Sequence, residues 1–285
     1  MIVQPDTLLA PLLKFKVANK SRKGLSSGFD SIDEHLLICK KYLMVITGYP
    51  SHGKSAFLDA LAINFATAHD WSWLYFSPET DELYTHLMKL VRTKSGKPII
   101  AMSNKEIENT VSWAQDHFAW IKAGDDDYFT LEDVMRITAQ RIEAGHKVDA
   151  LVIDPWNELN HTKMGHREDA YISQYLTKFK KFAQKYDILP VIVAHPHSIS
   201  ETTNAQTIPA LRHIAGGAMW WNKTDIGICV YRKDVTKNEP EIFLQKVKDL
   251  TLGYAGRVRL DYDRDSGRFK DIANPEFTIP ELIPI

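Results

Sequence analysis

Short apolar runs alternate along this chain with longer stretches of helical period. Residues 42–46, Tyr-Leu-Met-Val-Ile, form the first run, and a glycine-rich turn separates them from a helical stretch over 54–69. Trp73-Leu74-Tyr75-Phe76 predicts a second strand, followed by a helix beginning near Asp81. Further strands are expected at 150–153 and 189–194. Between these two, Tyr171, Tyr175, Leu176, Phe179, Phe182 and Tyr186 recur with a period near 3.6 and so share one face of a long helix. Ser103 with Glu106, and Thr130 with Asp133, have the spacing of helix-capping pairs. The strands are unbroken apolar runs rather than alternating ones. That pattern predicts an α/β fold whose central, mostly parallel, twisted sheet is flanked by helices on both faces.

After residue 224 the pattern becomes strand-rich, at 226–231, 241–247 and 257–262, with Asp265-Ser266-Gly267 as a turn beyond the last. These are expected to extend the same sheet as antiparallel C-terminal strands. At the other end, residues 1–29 read as an arm or linker. Its apolar patch (Leu8, Leu9, Leu12, Leu13 and Phe15) is interrupted by Pro11 and followed by a basic stretch from Lys14 to Lys23. The arm either folds back on its own body or docks on a neighbouring subunit. Residues 30–285 are expected to be one domain, without internal repeats.

Composition narrows the classes. The 285 residues carry a formal net charge of −1, so the overall field cannot hold nucleic acid. Any basic contact surface must be local, for example inside a ring channel. Cys39 and Cys229 are far apart and form no CxxC pair, which argues against a disulfide scaffold or a cysteine zinc site. No apolar run approaches the roughly 18 residues of a membrane span, and residues 1–13 lack the basic start of a signal peptide. The expectation is a cytoplasmic protein with no membrane partner, in the host cytoplasm if phage-encoded.

The chemistry concentrates at Gly48-Tyr49-Pro50-Ser51-His52-Gly53-Lys54-Ser55, which fits Gly-x-x-x-x-Gly-Lys-Ser/Thr between a strand and a helix. The backbone N–H groups of such a loop, continuing into Ala56 at the helix N-terminus, cradle phosphate oxygens. Lys54 would neutralise the β- and γ-phosphates, and the Ser55 hydroxyl would ligate Mg²⁺. Asp154 ends an apolar strand, where it can hold the same ion. Glu79 follows another strand, from which it can orient and deprotonate the attacking water. Glu158 is the reserve candidate for that base. His195, in Val193-Ala194-His195-Pro196-His197, ends the next strand, where a polar group can sense the γ-phosphate. The cofactors expected are ATP, or another NTP or dNTP, and Mg²⁺. A stripe of Gln174, Lys178, Lys181 and Lys185 on the long helix reads as a solvated face.

With these residues in place, roughly 24–270 resembles the RecA-like helicase domain of the DnaB family, in the branch that includes Twinkle and phage primase–helicases. The resemblance rests on the Gly24–Asp33 opening segment, the phosphate loop, Ser77-Pro78-Glu79 and Ile153-Asp154-Pro155-Trp156-Asn157. It continues through Tyr171-Ile172-Ser173-Gln174, Ala194-His195-Pro196 and Ile214-Ala215-Gly216-Gly217-Ala218, with Asn222, Lys223 and Asp225 beyond. It implies a RecA-like P-loop NTPase core. It also implies a homohexameric ring (heptamers occur in such families) that moves on single-stranded DNA in its pore, with a primase or polymerase as further partner.

By the same resemblance Glu79 is the catalytic base, Asp154 the magnesium carboxylate and His195 the phosphate sensor. The loop over 197–209, including His197, and Gly216, Gly217, Ala218 and Lys223 fall on DNA-contacting segments. Arg232 and Tyr262 fall where the nucleotide base is sandwiched. One departure stands out. The family's Lys-x-Arg reads Lys246-Val247-Lys248 here, so either Lys248 acts as the trans-acting cation or another residue such as Arg257 does. A replicative helicase is therefore expected. The alternatives are a RecA- or KaiC-like recombinase, loader or regulatory ATPase without unwinding activity, and a poorly hydrolysing scaffold. The chain is expected to be either a stand-alone helicase or the motor of a longer primase–helicase.

Overall fold

The computed structural model of the chain describes residues 13, 23–78, 82–122, 129–161, 168–197 and 207–272. Within these, strands β1 (Met44–Thr47), β2 (Trp73–Phe76), β4 (Ala150–Ile153), β5 (Leu189–Val193) and β6 (Ile226–Tyr231) are buried at every position. A strand covered on both faces has no place for a solvated side chain, so the apolar runs follow directly. With β3 (Phe118–Trp120), β7 (Glu241–Val247), β8 (Gly256–Tyr262) and β9 (Phe269–Asp271) they form one sheet in the order β3-β2-β4-β5-β1-β6-β7-β8-β9. All pairings from β3 to β6 are parallel; β6–β7, β7–β8 and β8–β9 are antiparallel. The expected α/β class, with an antiparallel C-terminal extension, is what the chain adopts.

Successive side chains of a strand alternate between faces, and the core divides accordingly. Met44, Ile46, Trp73, Tyr75, Val152, Val191 and Ile228 pack with α1 (Asp30–His35) and α2 (Lys54–His69) on one side. Val45, Leu74, Phe76, Leu151, Ile153 and Ile192 pack on the other with α5 (Leu131–Glu143), α6 (Glu168–Tyr186) and α7 (Ala218–Lys223). Helix α6 buries Tyr171, Ile172, Leu176, Phe179 and Ala183 against this second core, and Tyr175, Phe182 and Tyr186 pack at its margin. The capping pairs are present as reciprocal boxes: Ser103 with Glu106 opens α4 (Asn104–His117), and Thr130 with Asp133 opens α5. Residues 23–29 lie against the body, with Leu25 bridged to Ile38 and Phe29 buried.

Three local features differ from the pattern reading. The helix expected near Asp81 begins at Glu82, but its first turn, Glu82–His86, is a π turn that runs straight into α3 (Leu87–Ser95). Strand β3 is only three residues long, too short to stand out as an apolar run. Residues beyond Gly217 form the short helix α7, which the glycine pair disguises as loop.

The parallel register places the carboxyl ends of β2, β4, β5, β1 and β6 along one edge. Phe76 pairs with Ile153, Ile153 with Ile192, Ile46 with both Val193 and Ile228, and Thr47 with Cys229. Ligand crevices of open α/β sheets form beyond that edge.

Candidate active site

The loop from β1 to α2 holds backbone conformations that few residues tolerate. Gly48 has φ +146°, and a Cβ there would run into the carbonyl oxygen of Val230 on β6. Gly53 has φ +97° and open space around it, so its need for glycine is conformational rather than steric. Ser51 takes φ +63° without being glycine. These turns carry the chain into α2, whose first N–H groups face the crevice. Lys54 is the first residue of that helix, and its Nζ donates to Tyr49 O at 3.0 Å, folding back over the loop.

Lys54, Ser55 and Ala56 line a crevice of about 520 Å³ together with Pro50, Ser51, Gly53, Asp154 and His195. The sequence-predicted phosphate, metal and sensor residues therefore converge. Asp154 follows β4, and its backbone N–H is held by Phe76 O at 3.0 Å. Burial pushes its carboxyl up to about 6; neighbouring Asp59 adds to this, while a hydrogen bond from Ser55 and the charge of Lys54 oppose it. An acid and a hydroxyl already in contact, beside one lysine and in a crevice where a carboxylate is held ionised at a cost, form a donor set suited to Mg²⁺ and phosphate. The residues fit the cofactor expected.

His195 lies just past β5, whose carboxyl end is tied to β1 by Thr47 Oγ1 donating to Ala194 O at 2.9 Å. Its Nδ1 is buried and has no hydrogen-bond partner among the described residues. Burial, then the Lys54 charge, hold the ring below the usual histidine range, against an opposing effect of Glu158. A neutral imidazole with an unused nitrogen suits contact with a phosphate oxygen. Glu79 lies outside the described residues.

The loop is also braced from the side. His52 Nδ1 accepts from Arg232 N at 2.9 Å, and Tyr49, His52 and Tyr231 form an aromatic group with centroids 5.3 to 6.4 Å apart. The Arg232 guanidinium donates to the carbonyls of Val235 and Lys237. Tyr262 donates its N–H to Asn238 O at 2.7 Å, so both base-sandwich candidates border the same 235–238 turn. The Tyr262 ring packs on Phe269 at 4.8 Å, and its hydroxyl accepts from Arg92 at 3.3 Å.

Asp59, one helical turn beyond Ser55, belongs to no motif that the sequence displays. It accepts from His86 Nε2 at 2.8 Å, while His86 Nδ1 accepts from Trp120 Nε1 at 2.9 Å. The indole N–H fixes the histidine tautomer and joins α2, the π turn and the end of β3 in one buried group. An Asp inside an otherwise apolar helix face is the available signal.

The DNA-segment candidates form a second group. Pro196 bridges Ile214, and His197 N donates to His213 O at 2.7 Å, which ties the strand end after His195 to the 211–217 segment. Gly216 has φ +87°, and a Cβ there would lie 2.7 Å from Ile172 Cγ1, so close packing on α6 itself demands glycine. Gly217 caps α7, Ala218 opens it and Lys223 ends it. Trp220 Nε1 donates to Ala215 O at 2.6 Å and anchors the turn. Lys248 lies at the opposite edge of the sheet from the phosphate loop: its N–H donates to Asp225 O at 2.9 Å and its Nζ is 3.8 Å from the Asp225 carboxylate.

A Gly-x-x-x-x-Gly-Lys-Ser loop between the central strand and its helix, faced by an acidic strand end, defines a RecA-type P-loop NTPase core. The chain belongs to the DnaB-like helicase C-terminal domain family, matched over residues 24–271. It is similar to the Twinkle homolog protein, chloroplastic/mitochondrial, of Arabidopsis thaliana, with 30% identity over 262 residues. That match covers 87% of this chain and 36% of the relative, so the chain spans about a third of the relative's length. In fold it resembles a DnaB-like replicative helicase described with its primase interactions, with a TM-score of 0.79, 20% identity and coverage of 93% of this chain and 68% of that one. It likewise resembles a solved ATPase domain, with a TM-score of 0.78, 19% identity and coverage of 94% and 98%. Among the described residues no helix is long and apolar enough to cross a membrane.

Proposed function

We propose that the chain is the motor of a replicative DNA helicase, hydrolysing ATP or a related NTP to translocate on single-stranded DNA as a homohexameric ring. The observation that carries this reading is the convergence of Lys54, Ser55, Asp154 and His195 in one crevice within a member of the DnaB-like family. The loop amides and Lys54 grip the polyphosphate and hold its charge during in-line attack. Ser55 and Asp154 would hold Mg²⁺, which when bound supplies charge neutralisation at the phosphate oxygens. Glu79 takes the proton of the attacking water. Arg232 and Tyr262 flank the base. His195 reads the γ-phosphate with its spare nitrogen and passes the change to the Pro196–Ile214 bridge, next to the segments that would hold DNA.

Lys248 is the better candidate for the trans-acting cation than Arg257, because Arg257 is committed to the buried carboxylate of Glu241. A primase or polymerase partner and a location wherever replication occurs, the cytoplasm in the simplest case, belong to the same reading. The test is strand separation of a forked DNA duplex with Mg·ATP, with Lys54→Ala as the control. Unwinding by the wild type and none by the variant is expected. Hydrolysis without any unwinding, on forks of either polarity, would move the chain to the recombinase or loader class.

A further inference from the structure

The antiparallel pairing of β6 with β7 is interrupted at one place. Ile226 pairs with Val247 and Gly227 with Lys246, but Ile228 pairs with Leu244, so Gln245 is an extra residue with no partner across β6. The β7–β8 ladder also ends at Leu244 with Gly256. Gln245 is thus a β-bulge, a device that frees a side chain from strand alternation and re-aims it. Its carboxamide is aimed at the end of the 197–209 loop and the residues just beyond it: Nε2 donates to Pro209 O at 2.6 Å, and Oε1 accepts from Leu211 N at 3.3 Å. The carboxamide thus donates from one atom and accepts at the other, holding two points of the segment with one planar group.

The surroundings fix that segment on the same strand. Leu211 is fully buried and lies over Gly227, where a Cβ would come 2.5 Å from its Cδ1. The neighbouring Lys246 donates to Trp221 O, and the Trp221 ring has Lys246 at 5.4 Å and Arg212 at 5.7 Å. Toward the nucleotide, Tyr49 of the phosphate loop donates its hydroxyl to Thr207 O at 3.0 Å. Residues 207–214 therefore touch the phosphate loop, the strand end after His195, and β7 three residues before Lys248.

We propose that Gln245 is a positioning residue for hydrolysis: its carboxamide ties the 207–211 segment to the end of β7, so that DNA held by the loops sets where Lys248 is presented to the neighbouring subunit's nucleotide. This rests on the reading of the chain as a DNA-stimulated ring motor. Gln245 touches no reacting group and acts through Lys248.

The experiment compares steady-state hydrolysis by the full chain with and without single-stranded oligonucleotide, for wild type, Gln245→Met and Gln245→Asn. Methionine keeps the length without the hydrogen bonds; asparagine keeps the amide but is too short to span both partners. Both variants are expected to lose about tenfold of the DNA-stimulated kcat, within the range that breaking one link of a coupled chain produces. Basal rate, nucleotide KM and oligonucleotide affinity should stay near wild type, and melting temperature should fall by no more than the loss of a partly buried hydrogen bond gives. A stimulated rate within about twofold of wild type in either folded variant overturns the proposal, being no more than an ordinary surface substitution gives. An equal fall of basal and stimulated rates also overturns it, because that is structural damage. If wild type itself is not stimulated by DNA, the motor reading fails first, and that result precedes any variant.

Discussion

Asp154→Asn should make the nucleotide-free protein more stable and at the same time disable it. The Asp154 carboxyl is pushed up from 3.8 to about 6, chiefly by burial. At about 1.4 kcal/mol per pKa unit, keeping this group ionised in the folded chain costs roughly 3 kcal/mol. The crevice opens to water on one side, so about 1–3 kcal/mol is the range to look for. The sign follows from linkage. The folded state binds this proton more tightly than the unfolded state. The associated stability is therefore fully present below 3.8 and is lost as pH rises through about 6. Asparagine is neutral throughout and can still meet the Ser55 hydroxyl. By calorimetry without metal or nucleotide, variant and wild type should melt together near the lower pH and diverge above the upper one. The variant should be ahead there by about 2–4 °C per kcal/mol. Mg·nucleotide should reverse the order by raising only the wild type. A difference that is flat with pH, or a variant that melts earlier above pH 7, would refute the argument that this carboxylate is stored at a cost.

Three further outcomes follow from the proposed hydrolysis and from the loop geometry. Glu79→Gln should keep nucleotide affinity by equilibrium titration while turnover falls by about 10²–10⁴, the span of a positioned base; normal turnover rejects that role. Lys248→Ala should lower DNA-stimulated hydrolysis by about 10² or more, with Lys248→Arg at or above wild type, since trans-acting cations of this kind carry large factors and arginine adds a bidentate fork. Intact stimulation in Lys248→Ala would remove Lys248 from the mechanism. Gly48→Ala should cost about 2 kcal/mol or more through strain at φ +146° and collision with the Val230 carbonyl, and should weaken nucleotide binding; an unchanged melting curve would contradict the loop geometry.

The sequence disclosed whatever depends on local pattern. Strands at Trp73–Phe76, Ala150–Ile153 and Ile226–Tyr231 have the bounds read from their apolar runs, because burial on both faces leaves no polar position to blur them. The phosphate loop and both capping boxes were equally plain, each being set by residues within a few positions of one another. What stayed hidden was long-range. Nothing in Gln245 signals a bulge, since the bulge exists only in the register with β6. The Asp59–His86–Trp120 group joins three elements dispersed over the chain and has no spacing to read. Gly216 was legible as a special position, but its closeness to Ile172 depends on how α6 packs.

The placement of Lys248 bears on why the chain would work as an assembly. Gly48 lies against Val230 near the carboxyl edge of the sheet, whereas Lys248 is bonded to Asp225 at the amino edge. Five residues of strand separate these levels, roughly 17 Å at about 3.3 Å per residue. One chain therefore presents its phosphate loop and its candidate cation on opposite edges, and Lys248 is not placed to serve its own crevice. A head-to-tail contact between copies brings unlike edges together, and such a contact either closes into a ring or runs on as a filament. The substitution of lysine for arginine is consistent with this geometry. Lys248 is mostly exposed and its contact with Asp225 is long, while Lys180 holds the same carboxylate at 2.7 Å. Asp225 stays neutralised by Lys180 when Lys248 leaves, so moving the exposed lysine toward a neighbour's phosphate costs little, of the order of a surface ion pair. On the proposed reading of the chain as a DNA-stimulated ring motor, the bulged Gln245, three residues upstream, is where bound DNA would influence that movement.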